Sequence, residues 1–258
     1  MESWSVCEAA PDREPAGGNE DLALVGPDFV VVLDGATAPR GVDSGCRHDV
    51  AWLVRRLGAE LATPLVGRSV APLPDLLADA ITAVGASHAN HCDLTNPDSP
   101  SSTVSMVRVG PDVVEHLVLA DSPVVLRAPD GRVTLVADDR IDHLPEYTLE
   151  SVRRLRNQPG GFWVASTEPK AAYEAVRGAT ERDQVEVFAV LSDGASRYAE
   201  RYGHSWQELV AVLEASGPRG LVDRVRAYDT AAAIGSFRGK RHDDATAVLC
   251  RLGRRAEG

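Results

Sequence analysis

The stretch Asn19-Glu20-Asp21-Leu22-Ala23-Leu24-Val25-Gly26-Pro27-Asp28-Phe29-Val30-Val31-Val32-Leu33-Asp34-Gly35 sets two apolar runs on either side of a Gly-Pro-Asp turn. Turn chemistry of this kind joins antiparallel strands in a hairpin. Pairing Val25 with Val30 puts Asp21 opposite Asp34 at the open end. Two carboxylates that close repel unless one is protonated or a cation sits between them. Gly35 is expected to let the backbone turn sharply behind Asp34, bringing a carbonyl oxygen near any ion.

The same device recurs further along. Ser192-Asp193-Gly194 follows the apolar run Val185 to Leu191, and Asp243-Asp244 stands just before the run Ala245 to Leu252. In antiparallel sheets the end of one strand lies beside the start of its neighbour, so these acids can share one edge. Thr103 to Val109 and Val113 to Leu119 flank a second Gly-Pro-Asp turn. A Val109–Val113 register there sets Asp121 opposite Ser101. Further strands are expected over Trp4 to Glu8, Val124 to Arg127 and Val133 to Val136. Helical spacing runs from Ser44 to Leu61, from Pro74 to about Ala89, from Trp206 to Leu213 and from Leu221 to about Ala231, with short patches at Leu149 to Leu155 and Ala171 to Val176. Hairpins with helices between them predict an α+β fold, antiparallel sheets covered by helices, within one domain over residues 1–258. A doubly wound parallel sheet is disfavoured because the hairpins join neighbours directly.

Composition narrows the partners. The chain has 258 residues, 38 acidic against 27 basic, and a formal net charge of −11. Nucleic acid and anionic membrane surfaces call for basic patches, so neither is an expected partner. An anionic substrate would need bound cations to offset this charge. Met1-Glu2-Ser3-Trp4 lacks the basic start of a secretory signal, and the longest apolar runs are too short to cross a bilayer. Four scattered cysteines without a Cys-x-x-Cys pair predict reduced, mostly buried thiols in a cytoplasmic protein. The pattern specifies no oligomeric state.

Several carboxylates on one edge make a hard, oxygen-only site that suits Mg²⁺ or Mn²⁺ better than zinc. A pair of such ions can hold a phosphate and activate water at neutral pH for in-line attack on phosphorus. Other features point to less. His88, His91 and Cys92 lack a fourth ligand at zinc spacing and are expected to be a polar helix end. Ser192 is not in a Gly-x-Ser-x-Gly elbow, which leaves a serine hydrolase without support. His242 beside Asp243 is open between proton transfer and an exposed loop. Arg153, Arg154 and Arg156 are expected on a solvated helix face that could attract acidic peptides. Trp52 and Trp206 fall at core spacing.

Taken in order, Asn19-Glu20-Asp21, Val32-Leu33-Asp34-Gly35, Ser101-Ser102-Thr103, Ala120-Asp121-Ser122, Leu191-Ser192-Asp193-Gly194 and Asp243-Asp244-Ala245-Thr246-Ala247-Val248 resemble the metal-dependent serine/threonine protein phosphatases of type 2C. The resemblance implies a sandwich of two antiparallel β-sheets flanked by α-helices, with a binuclear Mn²⁺ or Mg²⁺ centre and a phosphorylated protein as substrate. It implies that Asp34 bridges both metals, that Gly35 offers its carbonyl, and that Asp193 and Asp243 bind the first metal. Glu20 and Asp21 would reach the second through waters, and Asp121 with Asp193 would hold a third where one binds. Residues 138–180 match the family's variable flap. Four departures stand out. Ala16 occupies the position of the phosphate-gripping arginine, with Arg13 nearby as a substitute. Ala36 replaces a histidine, Arg197 replaces an acid, and Asp244 replaces the usual Asn. Ala16, Ala36 and Arg197 motivate an alternative, a phosphatase-fold regulatory or binding module with little turnover.

Overall fold

The computed structural model describes residues 1–12, 18–36, 41–233, 235–237 and 239–253, so Arg13 and Ala16 lie outside the described residues. The strands are β1 (Glu2–Glu8), β2 (Asp21–Val25), β3 (Phe29–Ala36), β4 (Ser101–Val109), β5 (Val113–Leu119), β6 (Val124–Arg127), β7 (Val133–Val136), β8 (Val176–Glu181), β9 (Val187–Leu191) and β10 (Ala245–Arg251). The helices are α1 (Val50–Val66), α2 (Leu73–His88), α3 (Leu149–Leu155), α4 (Asp193–Glu200) and α5 (Trp206–Ala231). One sheet has the order β1-β10-β9-β6-β7 and the other β2-β3-β4-β5-β8, all neighbours antiparallel.

Alternation along β3 explains the layering. Val30 and Val32 face the opposite sheet, packing with Val107, Val118, Val190 and Val248. Val31 and Leu33 face the other way, against Leu53, Leu57 and Leu61 of α1 and Leu77 and Ile81 of α2. A strand buried on both faces needs apolar residues at every position, which is why Phe29 to Leu33 shows no polar alternation. On the far side, Leu209, Leu213, Leu221 and Val225 of α5 cover Ala189, Leu191, Ala247 and Leu249. The result is four layers, helix–sheet–sheet–helix.

The two Gly-Pro-Asp hairpins turn out to be the same turn. In the first, Gly26 N–H bonds to the Phe29 carbonyl and Val25 pairs with Val30; in the second, Gly110 N–H bonds to the Val113 carbonyl and Val109 pairs with Val114. The expected Val109–Val113 register is therefore one residue short: Gly110 and Val113 close the turn, and Val113, like Phe29, is ladder-paired only with the strand on its other side. α1 begins at Val50 instead of near Ser44, capped by Asp49, whose carboxylate accepts the Trp52 N–H at 2.7 Å. The expected break between Trp206–Leu213 and Leu221–Ala231 is a kink in α5 at Gly217, where φ is 70° ahead of Pro218. The edge strand β8 and the helix α4 were not anticipated.

Candidate metal centre

Pairing brings the strand-end acids together. Asp21 lies across from Asp34 as the sequence predicts, and Asp34 faces Thr103 of β4 on its other side. From the opposite sheet, the Asp193 N–H at the start of α4 donates to Asp34 Oδ2 at 3.3 Å. Asp121 follows Ala120, which holds a left-handed φ of 66° and donates its N–H to the buried Asp138 carboxylate at 2.9 Å. The Thr103 and Ser122 hydroxyls meet at 2.6 Å and tie that turn to β4.

Electrostatics shows that these groups feel one another. Burial holds the Asp34 carboxyl well above the usual carboxylate range, and the charges of Asp21, Asp193, Asp243 and Asp121 add to the push. Burial likewise lifts Asp21 to about 7, against hydrogen bonds from Thr246 and Ser192 and with help from Asp244 and Asp193. Asp121 rises to about 7 by burial, with Asp193, Glu200 and Asp142 contributing. Asp193 is raised by burial and by Asp243. Thr246 Oγ1 donates to Asp21 Oδ2 at 2.7 Å, while Asp21 Oδ1 is buried without a hydrogen-bond partner. Among the described residues, no three carboxylates of this group gather within 4.8 Å of one another. A partnerless buried oxygen and acids whose pKa values are raised by burial and by one another's charge fit hard divalent cations with room for waters between.

Both Asp-Gly pairs differ from expectation. Gly35 lies inside β3, and neither Gly35 nor Gly194 has a positive φ. Each is needed for close approach. A Cβ on Gly35 would run into Val50 Cγ1 and the Glu20 carbonyl, and one on Gly194 into the Asp244 carbonyl. The second Asp-Gly opens a helix, with Ser192 at the N-cap position. Glu20 is set by its backbone: its carbonyl accepts from Gly35 N–H at 3.1 Å, and its N–H donates to Asp244 Oδ2 at 2.8 Å. Asp244 Oδ1 accepts from Ala10 N–H, also at 2.8 Å. The acid that replaces the usual Asn thus serves two backbone donors, which needs two acceptor oxygens.

Arg197 is almost fully buried behind the cluster. Its guanidinium lies 3.0 Å from Asp243 Oδ2 and 3.6 Å from Asp229 Oδ1, and Lys240 Nζ lies 3.2 Å from Asp243 Oδ1. His242 is not an exposed loop residue: its Nδ1 lies 3.5 Å from Asp229 Oδ2 in the same buried group. Glu200 was missed. It sits two turns beyond Asp193 on α4, accepts from Ser196 Oγ at 2.7 Å, and is lifted to about 7 by burial and by Asp193 and Asp142. The spacing Asp193, Ser196, Glu200 would have flagged it, had the segment been recognised as helical. Of the arginines after Thr148, Arg153 and Arg154 are exposed as expected, Arg153 paired with Asp98, while Arg156 is half-buried and donates to the Pro97 and Ser99 carbonyls and the Ser166 hydroxyl. Cysteine placement also departs, since Cys250 is buried, Cys7 exposed, and Cys46 and Cys92 half-buried.

Two facing antiparallel sheets, helices outside them and carboxylates converging where strands end define the phosphatase 2C-like fold. The family description Protein phosphatase 2C matches residues 22–227. The chain belongs to that family and is a protein phosphatase by class. Among solved structures it is similar to the Mycobacterium tuberculosis serine/threonine phosphatase PstP/Ppp, with 17% identity over 98% of this chain and 99% of that one and a TM-score of 0.61. The PstP catalytic domain in complex with two manganese ions matches at 16% identity over 96% of each chain, TM-score 0.60. Stp1 from Staphylococcus aureus matches at 12% over 98% and 96%, TM-score 0.65. A search of curated proteins finds no match. No helix among the described residues is long and apolar enough to cross a membrane.

Proposed function

We propose that this chain hydrolyses phosphoserine or phosphothreonine esters in proteins, using two Mn²⁺ or Mg²⁺ ions held by Asp34, Gly35, Asp193, Asp243, Glu20 and Asp21. The observation that carries this reading is the convergence of Asp21, Asp34, Asp121, Asp193 and Asp243, each shifted or surrounded by the charge of the others. When bound, a pair of such ions neutralises a phosphate and lowers the pKa of water enough to supply a nucleophile near neutral pH.

The residues divide the remaining work. Asp34, flanked by β2 and β4 and bonded to the start of α4, would serve both ions. Asp193 and Asp243 would hold one ion, and Glu20 and Asp21 would reach the other through waters. Asp121 and Glu200, each raised in part by the charge of Asp193, would support a further cation together with it. Apolar strands behind the carboxylates limit how far they can move when cations bind. The ions also answer the charge problem, because a chain of net charge −11 would otherwise repel a phosphate. The whole chain acts as one domain, with residues 138–180 as a flap; Asp142 in that segment adds its charge to Asp121 and Glu200. Arg13 remains the candidate for gripping the substrate phosphate. Release of phosphate from a phosphothreonine peptide in the presence and absence of Mn²⁺ tests the reading, and unimpaired activity in Asp34→Asn rejects it.

A further inference from the structure

A second polar cluster lies outside the acid site. In the sequence, His88, His91 and Cys92 lack a partner at zinc-finger spacing, but the fold supplies two more ligands from a segment about forty residues earlier. α2 ends at His88, and the Cys92 N–H bonds back to the His88 carbonyl at 3.1 Å, so the two side chains leave the same side of one last turn. Cys46 and His48 arrive from the stretch just ahead of α1. Backbone and side-chain bonds join the two segments: Asp93 N–H donates to the Gly45 carbonyl at 2.9 Å, and Asn96 Nδ2 to the Asp43 carbonyl at 3.1 Å.

The donor geometry is specific. Cys46 Sγ lies 3.6 Å from His48 Nδ1, 3.7 Å from His88 Nδ1 and 3.2 Å from Cys92 Sγ. Cys92 Sγ lies 3.5 Å from His48 Nδ1, and all four ligand atoms fall within 4.8 Å of one another. A tetrahedral zinc ion with ordinary bond lengths sets sulfur–nitrogen edges of about 3.6 Å and a sulfur–sulfur edge of about 3.8 Å. The three sulfur–nitrogen distances already fit, and the sulfurs need to part by about half an ångström to meet that edge. Packing aims the rings. His48 stacks on Trp52 with centroids 3.9 Å apart and planes 17° apart, and His88 meets Trp52 at 5.0 Å. His91, the histidine next to Cys92, is exposed and takes no part.

We propose that Cys46, His48, His88 and Cys92 bind one Zn²⁺ ion, which pins the segment before α1 to the end of α2. Two thiolates and two imidazoles fill a four-coordinate shell and leave no open position, the mark of a structural site. Soft sulfur donors also separate it from the Mg²⁺- or Mn²⁺-type acid cluster. On binding, the two thiol S–H bonds ionise, both protons pass to solvent, and the complex of Zn²⁺ with two thiolates and two neutral imidazoles carries no net charge. The chain running on from Cys92 reaches Ser101, which pairs with Ala36 two residues past Asp34. The ion would therefore brace the strand ends that carry the acid cluster without joining it.

Elemental analysis of the full chain, purified under reducing conditions without added metal, tests this independently of phosphatase activity. One zinc per chain is expected, retained in Asp34→Asn and in His91→Ala and lost in Cys92→Ser. Exchange with Co²⁺ is expected to give the visible absorption of a tetrahedral ion together with a thiolate-to-cobalt charge-transfer band. If Cys92→Ser fails to fold, the zinc content and cobalt spectrum of the unaltered chain still decide. A zinc-free chain overturns the proposal, as does an octahedral cobalt spectrum. So do loss of zinc from Asp34→Asn or His91→Ala, and a mass lower by two hydrogens that reports a Cys46–Cys92 disulfide.

Discussion

The carboxylate cluster and the cysteine–histidine cluster are separated by a short run of chain, yet they differ in how closely their donors approach. The four sulfur and nitrogen atoms gather within 4.8 Å of one another, whereas no three of the clustered carboxylates do so among the described residues. Charge explains the contrast. Protonated thiols and unprotonated imidazoles are neutral and can assemble by packing alone. Carboxylates forced together must stay apart, take up protons or wait for a cation. The raised pKa values of Asp21, Asp34, Asp121 and Asp193 come first from burial, with the charge of neighbouring acids adding that frustration to it. One site is assembled in advance; the other keeps its donors further apart.

Breaking each cluster in turn should separate their roles. The largest effect is expected from Asp34→Asn, with Mn²⁺-dependent phosphate release falling on the order of 10³-fold, about 4 kcal/mol of lost transition-state stabilisation. Steady-state kinetics checks it. Cys46→Ser should act on stability instead, lowering Tm by roughly 5–10 °C through loss of a few kcal/mol of metal binding. Calorimetry would show this, with Mn²⁺ affinity staying within about twofold because the two sites bind separately.

The acid cluster should also respond to pH. Asp21 and Asp121 titrate near 7, so cations must displace their protons below that pH. Mn²⁺ affinity is expected to climb by roughly ten- to a hundredfold between about pH 5.5 and 7.5, with protons released on binding, measurable by titration calorimetry in two buffers. In the cation-free protein the sign for stability is opposite. A carboxyl whose folded pKa is raised contributes stability at low pH, and that contribution fades as pH climbs from about 4 through about 7. A Tm of the Mn²⁺-free protein that rose over this window would contradict the frustration described above.

Two smaller changes sharpen the picture. Asp244→Asn leaves one of the Ala10 and Glu20 N–H groups facing an amide NH₂, and chemical denaturation should register a loss of about 1–2 kcal/mol. Lys240→Ala removes a cation from Asp243 Oδ1 and should tighten Mn²⁺ binding by only about two- to threefold, since the lysine is largely exposed.

The legible parts of the fold were local. The first hairpin could be registered to the residue because one turn and two apolar runs leave a single pairing that sets the acids face to face. The second could not, since Val113 reads equally as the first paired residue or as the one that closes the turn. α4 stayed hidden because Ser-Asp-Gly reads as a turn, although a serine before an acid also begins helices. With it went Glu200, whose link to Asp193 exists only on a helix. Cys46 and His48 gave no signal beside His88 and Cys92, because ligand spacing in a sequence reports local loops and these pairs come from two different segments.

The sequence alone singled out Asp21, Asp34, Asp121, Asp193 and Asp243 as candidates, from their order along the chain and their position at strand ends. Tertiary structure alone decided what surrounds them. It turned Arg197 and Lys240 onto Asp243, set Asp244 beneath Glu20, and brought two cysteines and two histidines from distant segments to a common point. The physical reason is range. Turn chemistry and periodicity act over a few residues, while charge pairing and ligand convergence depend on distances that only the packed sheets and helices set.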